Sequence, residues 1–177
     1  MVIGSGFPIL FRQTRIGKNG KSFVMYKFRT MVVDAEKRQK KLQKKNEADG
    51  PVFKIHSDPR FTRVGRFLSH TGLDELTQIW NVLIGDMALI GPRPLPVYEA
   101  KKLTVWQKRR HQIKPGIISP WILYGYHSKP FRGWMKSDFD YMKKKSFTYD
   151  LKLCLQMIPY LWYLITRELI NLQKEEV

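Results

Sequence analysis

Two carboxylates stand side by side in HTGLDELTQIWN, residues 70–81: Asp74 and Glu75. Acids are scarce here, 15 Asp plus Glu against 32 Lys plus Arg in 177 residues. Leu73, Leu76, Trp80 and Leu83 recur at helical spacing until Gly85, and Thr71 precedes Asp74 by three positions. That arrangement is close to a capping box and predicts both acids in a first helical turn. Free N–H groups and the positive end of the helix dipole stabilise negative charge there. This local account is sufficient for acids in such a place, and their spacing alone does not say catalysis. Neighbours on a helix, however, point about 100° apart, so the two acids cannot be caps of the same kind. One can face a phosphorus while the other holds a metal ion. Arg93 lies in GPRP, where proline on both sides restricts the backbone and presents the guanidinium in a fixed direction. Its planar fork suits phosphate. Lys27 and Arg29 share one face of a strand with Met25, although spacing alone favours a solvated face for them. Asp74, Glu75, Arg93 and the basic strand face together suggest Mg²⁺-assisted phosphoryl chemistry.

These residues need elements to hold them. PILFRQTRIG and SFVMYKFRTMVV read as two strands around KNGK, which turns on Asn-Gly. Residues 34–50 read as a polar, basic helix or loop. Residues 52–72 give a short strand, a Ser-Asp-Pro turn and a basic helix carrying Arg60, Arg63 and Arg66 three apart. Asp86 precedes a short apolar run, MALIG. Residues 97–113 read as one amphipathic basic helix, 117–136 as irregular, and 138–172 as largely helical. His56 and His70 have no partner at metal-ligand spacing. The expectation is an α/β (α+β) fold: one mixed domain over 1–177, with a small sheet among amphipathic helices.

The bulk composition sets outer limits. At 43% hydrophobic and 13% aromatic the chain is globular, and a net charge of +17 implies anionic partners: nucleic acid, an anionic lipid surface or a phosphorylated substrate. A single cysteine, Cys154, leaves no intrachain disulfide and reads as a buried thiol. MVIGSGFPILF has no basic stretch followed by an apolar one, so no secretory leader is expected there. The apolar stretch of the C-terminal segment 151–172, LCLQMIPYLWYLIT, falls short of the roughly 20 residues a spanning helix needs, and Pro159 interrupts it. A core helix or one lying in a membrane interface fits it better.

FRQTRIGKNGKSFVMYKFRTM, NEADGPVFKIHSDPRFTRVGRFL, GLDELTQIWNVLIGDMALIGPRP and WQKRRHQIKPGI resemble, in order, the bacterial sugar transferases, monotopic polyprenyl-phosphate hexose-1-phosphate transferases. The resemblance is close from about residue 4 to residue 116 and looser over 138–158. It implies transfer of a sugar 1-phosphate from a nucleoside diphosphate sugar, usually a UDP-sugar, to undecaprenyl phosphate with Mg²⁺. That step opens exopolysaccharide, O-antigen or glycan assembly. The nucleoside monophosphate leaves first. The family's dyad Asp, Asp74 here, is the nucleophile that forms a phosphosugar ester, and Glu75 assists with metal or proton handling. Lys27 and Arg29 match the family's Tyr-Lys-Phe-Arg strand, with Lys27 the better match to the active site. Arg93 matches the phosphate-holding Arg. Asp86 matches the Gly-Asp-Met acid, for which a structural and a catalytic role are both open. The implied place is the cytoplasmic face of a bacterial inner membrane, with basic helices against anionic lipid and the C-terminal segment embedded beside them.

Three departures stand out. Family members carry a hydrophobic re-entrant helix ahead of the region matching Phe7, and none precedes it in this sequence. Thr77 replaces the Pro of Asp-Glu-Leu-Pro-Gln. IISPWILYGYHSK, residues 117–129, lacks the family's Gln and Gly-Arg pair; if that segment helps bind the nucleotide or the sugar, donor choice is unusual or activity impaired. The alternative reading is therefore a catalytically impaired membrane-binding or regulatory relic. A nucleic-acid-binding domain ranks last, because no such module is present and the charge has a membrane explanation.

Overall fold

The structure, a computed structural model, describes residues 6–123 and 130–174. The chain opens with the expected hairpin, β1 (Leu10–Ile16) antiparallel to β2 (Ser22–Phe28). At its tip Asn19 and Gly20 both take left-handed backbone, which closes the turn without strain. The register sets Phe11, Gln13 and Arg15 opposite Lys27, Met25 and Phe23, so these six share one face. That face turns inward: Arg15 and Met25 are buried, while Leu10, Arg12, Thr14 and Val24 on the other are exposed.

Beyond the hairpin come α1 (Ala35–Leu42) and α2 (Arg63–Thr71). Thr62 caps α2, its hydroxyl accepting from the Gly65 N–H at 3.0 Å. Arg60, expected in line with Arg63 and Arg66, therefore lies outside the helix. It is buried against Asp58, with Nη2 2.6 Å from Oδ2. Gly65 is needed where it is, because a Cβ there would sit 1.8 Å from the Thr30 carbonyl oxygen.

The dyad segment differs from the expected capped helix. Thr71 ends α2, and its hydroxyl donates back to the Phe67 carbonyl at 2.8 Å. Gly72, at φ 74°, then reverses the chain in the left-handed region that glycine tolerates. Asp74 and Glu75 follow in a 3-10 turn, Leu73–Gln78, which leads into the short α3 (Ile79–Leu83). A hydroxyl committed to the preceding helix cannot cap the next one. The helical spacing of Leu76, Trp80 and Leu83 is real, but all three are exposed, Leu83 to 73%.

A second small sheet pairs β3 (Ala88–Ile90) in parallel with β4 (Gly116–Ile118), so the expected small sheet is two two-stranded pieces. Between them, the single helix expected over 97–113 is broken into α4 (Val97–Ala100), α5 (Val105–Lys108) and a 3-10 turn, Arg109–Gln112. Leu103 turns into the core and Thr104 starts a new capping box with Gln107, which forces the break. Within the expected irregular 117–136 stretch lie β4, α6 (Pro120–Leu123) and the start of α7 (Phe131–Lys144). Residues 124–129, part of the atypical segment 117–129, are outside the described residues. Asp49 caps α7, accepting from the Phe131 N–H at 2.6 Å.

The chain ends in α8 (Phe147–Lys174), 28 residues that run on through Pro159. Among the described residues no helix is long and apolar enough to cross a membrane. One core cluster joins Val52, Leu95, Ala100, Leu103, Phe131 and Met135. Another joins Ile90, Tyr141 and Leu153 under α8, with the half-buried Cys154 against it. These two clusters knit hairpin, loops and helices into one mixed α/β domain.

Candidate active site

Buried Asn81 brings the dyad to the hairpin. It sits at the centre of α3 with no exposed surface, and its amide grips the edge of β2 from the side. Nδ2 donates to the Val24 carbonyl at 2.8 Å, and Oδ1 accepts from the Tyr26 N–H at 3.3 Å. The 3-10 turn just before α3 is thereby held over the inner face of the hairpin. Asp74 Oδ2 lies 3.8 Å from Lys27 Nζ. On the next residue Glu75 Oε1 accepts from Arg93 Nη1 at 2.7 Å. The two acids point apart, as adjacent residues in a tight helical turn must, and each meets its own cation.

Arg93 is fixed from behind. Its carbonyl accepts from Arg110 Nη2 at 2.9 Å, and Arg110 is locked to Asp138 of α7 through Nε at 2.8 Å and Nη2 at 2.7 Å. Both side chains are almost wholly buried. Two further charges belong to the same cluster: Arg15 on β1 and Glu99 on α4, both buried and both acting electrostatically on Arg93. The result is a cluster of cations and carboxylates lining a groove of about 1880 Å³. Apolar side chains line it too, among them Leu76 and Ile79 of the dyad segment, Trp121 of α6, and Leu161 and Leu164 of α8.

Burial sets the electrostatics. Asp74 is 3% exposed. Loss of water pushes its carboxyl up from 3.8 to about 6, and the like charge of Glu75 adds to this against the pull of Lys27 and Arg93. Lys27 is pushed down, first by its own burial and then by Arg15 and Arg93, against the pull of Asp74. Arg93 is held up chiefly by Glu75. A carboxylate of this kind is more basic than usual yet still ionised at neutral pH, which suits a nucleophile.

The donor set fits Mg²⁺. The ion is commonly held by one or two carboxylates with substrate phosphates and water completing its shell. Asp74 and Glu75 supply hard oxygens from neighbouring positions on the groove, Asp74 toward Lys27 and Glu75 toward Arg93, and no cluster of three or more metal-ligating side chains exists among the described residues. Any Mg²⁺ here would thus share its shell with a phosphorylated substrate.

Of the sequence candidates, Asp74, Glu75, Lys27 and Arg93 converge. Arg29 lines the groove but turns aside, its Nε donating to the Pro8 carbonyl at 2.7 Å and its guanidinium lying over the Phe11 ring. Asp86 stands apart in the turn after α3, accepting a long 3.4 Å bond from Asn81 Nδ2 while its N–H donates to the Asn81 carbonyl. Sequence reasoning missed Arg15, Asn81, Glu99, Arg110 and Asp138. Only Arg15 left a signal, since the strand alternation that groups Lys27 with Met25 also groups Arg15 with Gln13 and Phe11. Thr77, where the family usually has Pro, leaves its hydroxyl buried without a partner among the described residues.

The chain is similar to known proteins over most of its length. It is 44% identical over 151 residues to the galactosyl transferase CpsE of Streptococcus agalactiae serotype III, covering 85% of this chain and 34% of that protein. It is 37% identical over 151 residues to the uncharacterized sugar transferase EpsL of Bacillus subtilis, covering 85% of this chain and 68% of the relative. It is 34% identical over 160 residues to the UDP-glucose:undecaprenyl-phosphate glucose-1-phosphate transferase of Escherichia coli, covering 85% and 32%. The chain thus spans about a third of the length of the first and last of these relatives. The family described as bacterial sugar transferase matches residues 1–163. With that match running through the hairpin, the dyad and the Arg93 turn into α8, the chain belongs to the bacterial sugar transferase family.

Proposed function

We propose that this chain moves a sugar 1-phosphate from a nucleoside diphosphate sugar, a UDP-hexose, to undecaprenyl phosphate through a phosphosugar ester on Asp74. The names of the relatives support the overall reaction, since one of them transfers glucose 1-phosphate from UDP-glucose to undecaprenyl phosphate. The observation that carries the assignment to Asp74 is its carboxylate, withdrawn from water and 3.8 Å from Lys27, next to the Glu75–Arg93 pair in an open groove.

The chemistry follows from those positions. An Asp74 oxygen attacks the sugar-linked phosphorus of the donor. The bond from that phosphorus to the bridging oxygen breaks, and the nucleoside monophosphate departs with the electron pair. A phosphate oxygen of undecaprenyl phosphate then attacks the same phosphorus, and the carboxylate leaves unchanged. Lys27 and Arg93 neutralise phosphoryl oxygens that would otherwise repel a carboxylate, and Glu75 keeps Arg93 aimed. Mg²⁺, when bound at the dyad, supplies Lewis-acid neutralisation of the diphosphate. The apolar side chains that line the groove from the dyad segment and α8 suit the lipid part of the acceptor.

The same reading puts the domain against the cytoplasmic face of a bacterial inner membrane. Exposed Leu76, Ile79, Trp80 and Leu83 flank the dyad, and α8 turns Leu155, Ile158 and Trp162 outward. Apolar side chains at this density suit a lipid interface, and the +17 net charge suits an anionic one. The convergence of Asp74, Glu75, Lys27 and Arg93 in one groove supports the catalytic reading over that of an impaired relic. The test is an intact-mass measurement after incubation with UDP-sugar alone. The expected result is an added sugar phosphate on the native chain and none on a folded Asp74→Asn variant, which also loses turnover by at least about a thousandfold. Turnover without an adduct, or an active Asp74→Asn variant, would sink the assignment.

A further inference from the structure

The mechanism above does not use the buried cation Arg15. Arg15 stands on the inner face of the hairpin with Lys27, because the register pairs Arg15 with Phe23 and Lys27 with Phe11. It is 9% exposed and lines the groove. A guanidinium offers five N–H donors. Among the described residues this one makes a single hydrogen bond, from Nη1 to the Pro94 carbonyl at 2.9 Å, and its Nε is buried with no acceptor. Arg93 lies close enough to push the Arg15 guanidinium down, after burial itself. Glu99 offsets part of that charge, but its Oε1 is engaged by the Phe53 N–H at 3.4 Å. A buried cation with one acceptor, beside a second cation, is an unfavourable arrangement unless an anion joins the two.

We propose that Arg15 is a further diphosphate-binding residue of this site, clamping the donor's phosphoryl oxygens together with Arg93. The inference rests on the reaction proposed above and adds a direction to it. Lys27 stands by Asp74, Arg93 is bonded to Glu75 on the next residue, and the Arg15 guanidinium acts electrostatically on both Lys27 and Arg93. The two phosphorus atoms of a diphosphate share one bridging oxygen, so both lie in the space these side chains reach into. The sugar-linked phosphorus then faces Asp74, and the nucleoside-linked phosphate faces the Arg93 side, where Arg15 reaches it. Negative charge grows on that second phosphate as the bridging bond breaks, and a guanidinium already fixed there stabilises it without reorganising.

The test compares the native chain with Arg15→Lys, Arg15→Gln and the distant surface variant Arg38→Gln in thermal melts with inorganic pyrophosphate. Pyrophosphate should raise the melting temperature of the native chain and of Arg38→Gln alike. Its apparent Kd should weaken about tenfold in Arg15→Lys and further in Arg15→Gln. A native chain with no response overturns both this inference and the diphosphate reading beneath it. A native response that both Arg15 variants keep overturns the role of Arg15 alone. Should Arg15→Gln fail to fold, Arg15→Lys decides, since it keeps the charge and loses the planar fork. In turnover, Arg15→Lys should raise KM for the UDP-sugar about tenfold and leave KM for undecaprenyl phosphate unchanged. The reverse pattern would move Arg15 to the acceptor and overturn its place at the donor.

Discussion

Lys27 holds the balance on Asp74. Burial pushes the Asp74 carboxyl up to about 6, and the Lys27 ammonium pulls it back down. Removing that cation lets the carboxyl rise further. A nucleophile must be ionised, so the acid limb of kcat/KM belongs at pH about 6 in the native chain and at higher pH in Lys27→Met. At neutral pH the variant should lose about tenfold or more in rate, since it also gives up a charge-assisted contact to phosphate. A pH–rate profile checks this, and an unmoved acid limb would mean that the titrating group is not Asp74. The same shift has a sign for stability. A carboxyl raised in the folded chain binds its proton more tightly there than when unfolded. The stability due to Asp74 is therefore greatest below pH 3.8 and declines as pH rises through about 6.

At the scale of elements, α3 and β2 are joined by one side chain. Asn81 makes two hydrogen bonds to the backbone of β2 and has no exposed surface. Asn81→Ala removes both bonds and leaves a buried N–H and a buried carbonyl without partners. The expected loss is about 3 kcal/mol of stability, read from urea denaturation. Because the dyad turn hangs on that joint, the fraction that stays folded should also turn over more slowly, with kcat falling more than KM rises. A variant with full stability would show that the joint is held elsewhere. Gly72 and Thr71 act at the same scale: the glycine reverses the chain, and the threonine seals the helix behind it. A sequence pattern that reads as one capped helix is in fact a helix, a reversal and a 3-10 turn.

At the scale of the whole molecule, the exposed apolar residues of the dyad segment and of α8 need a partner surface, and the net charge limits what that surface can be. Binding to vesicles containing anionic lipid should weaken as salt rises, because counterions screen the basic surface. Leu83→Ser with Trp162→Ser should weaken it by about tenfold or more, from the apolar area no longer buried. Vesicle co-sedimentation reads both effects, and equal binding by the double variant would move the contact face. Part of the candidate site was legible in one dimension: Asp74 next to Glu75 and Arg93 between prolines are local patterns with local causes, whereas spacing alone favoured a solvated face for Lys27. The hairpin was legible too, because Asn19-Gly20 and strand alternation set its turn and register without outside help. The broken helix at 97–113, the exit of Arg60 from α2 and the exposure of Leu76, Trp80 and Leu83 were not. Each depends on which neighbour claims a hydroxyl, a carboxylate or an apolar face. The chain's own order therefore determined which groups were available and which sat side by side. Tertiary packing alone decided that Lys27 meets Asp74, 47 positions further along the chain, that Arg110 and Asp138 brace Arg93, and that Arg15 joins them. Contacts between residues so far apart in sequence are set by burial and hydrogen-bond satisfaction across the whole core, and no local spacing encodes those.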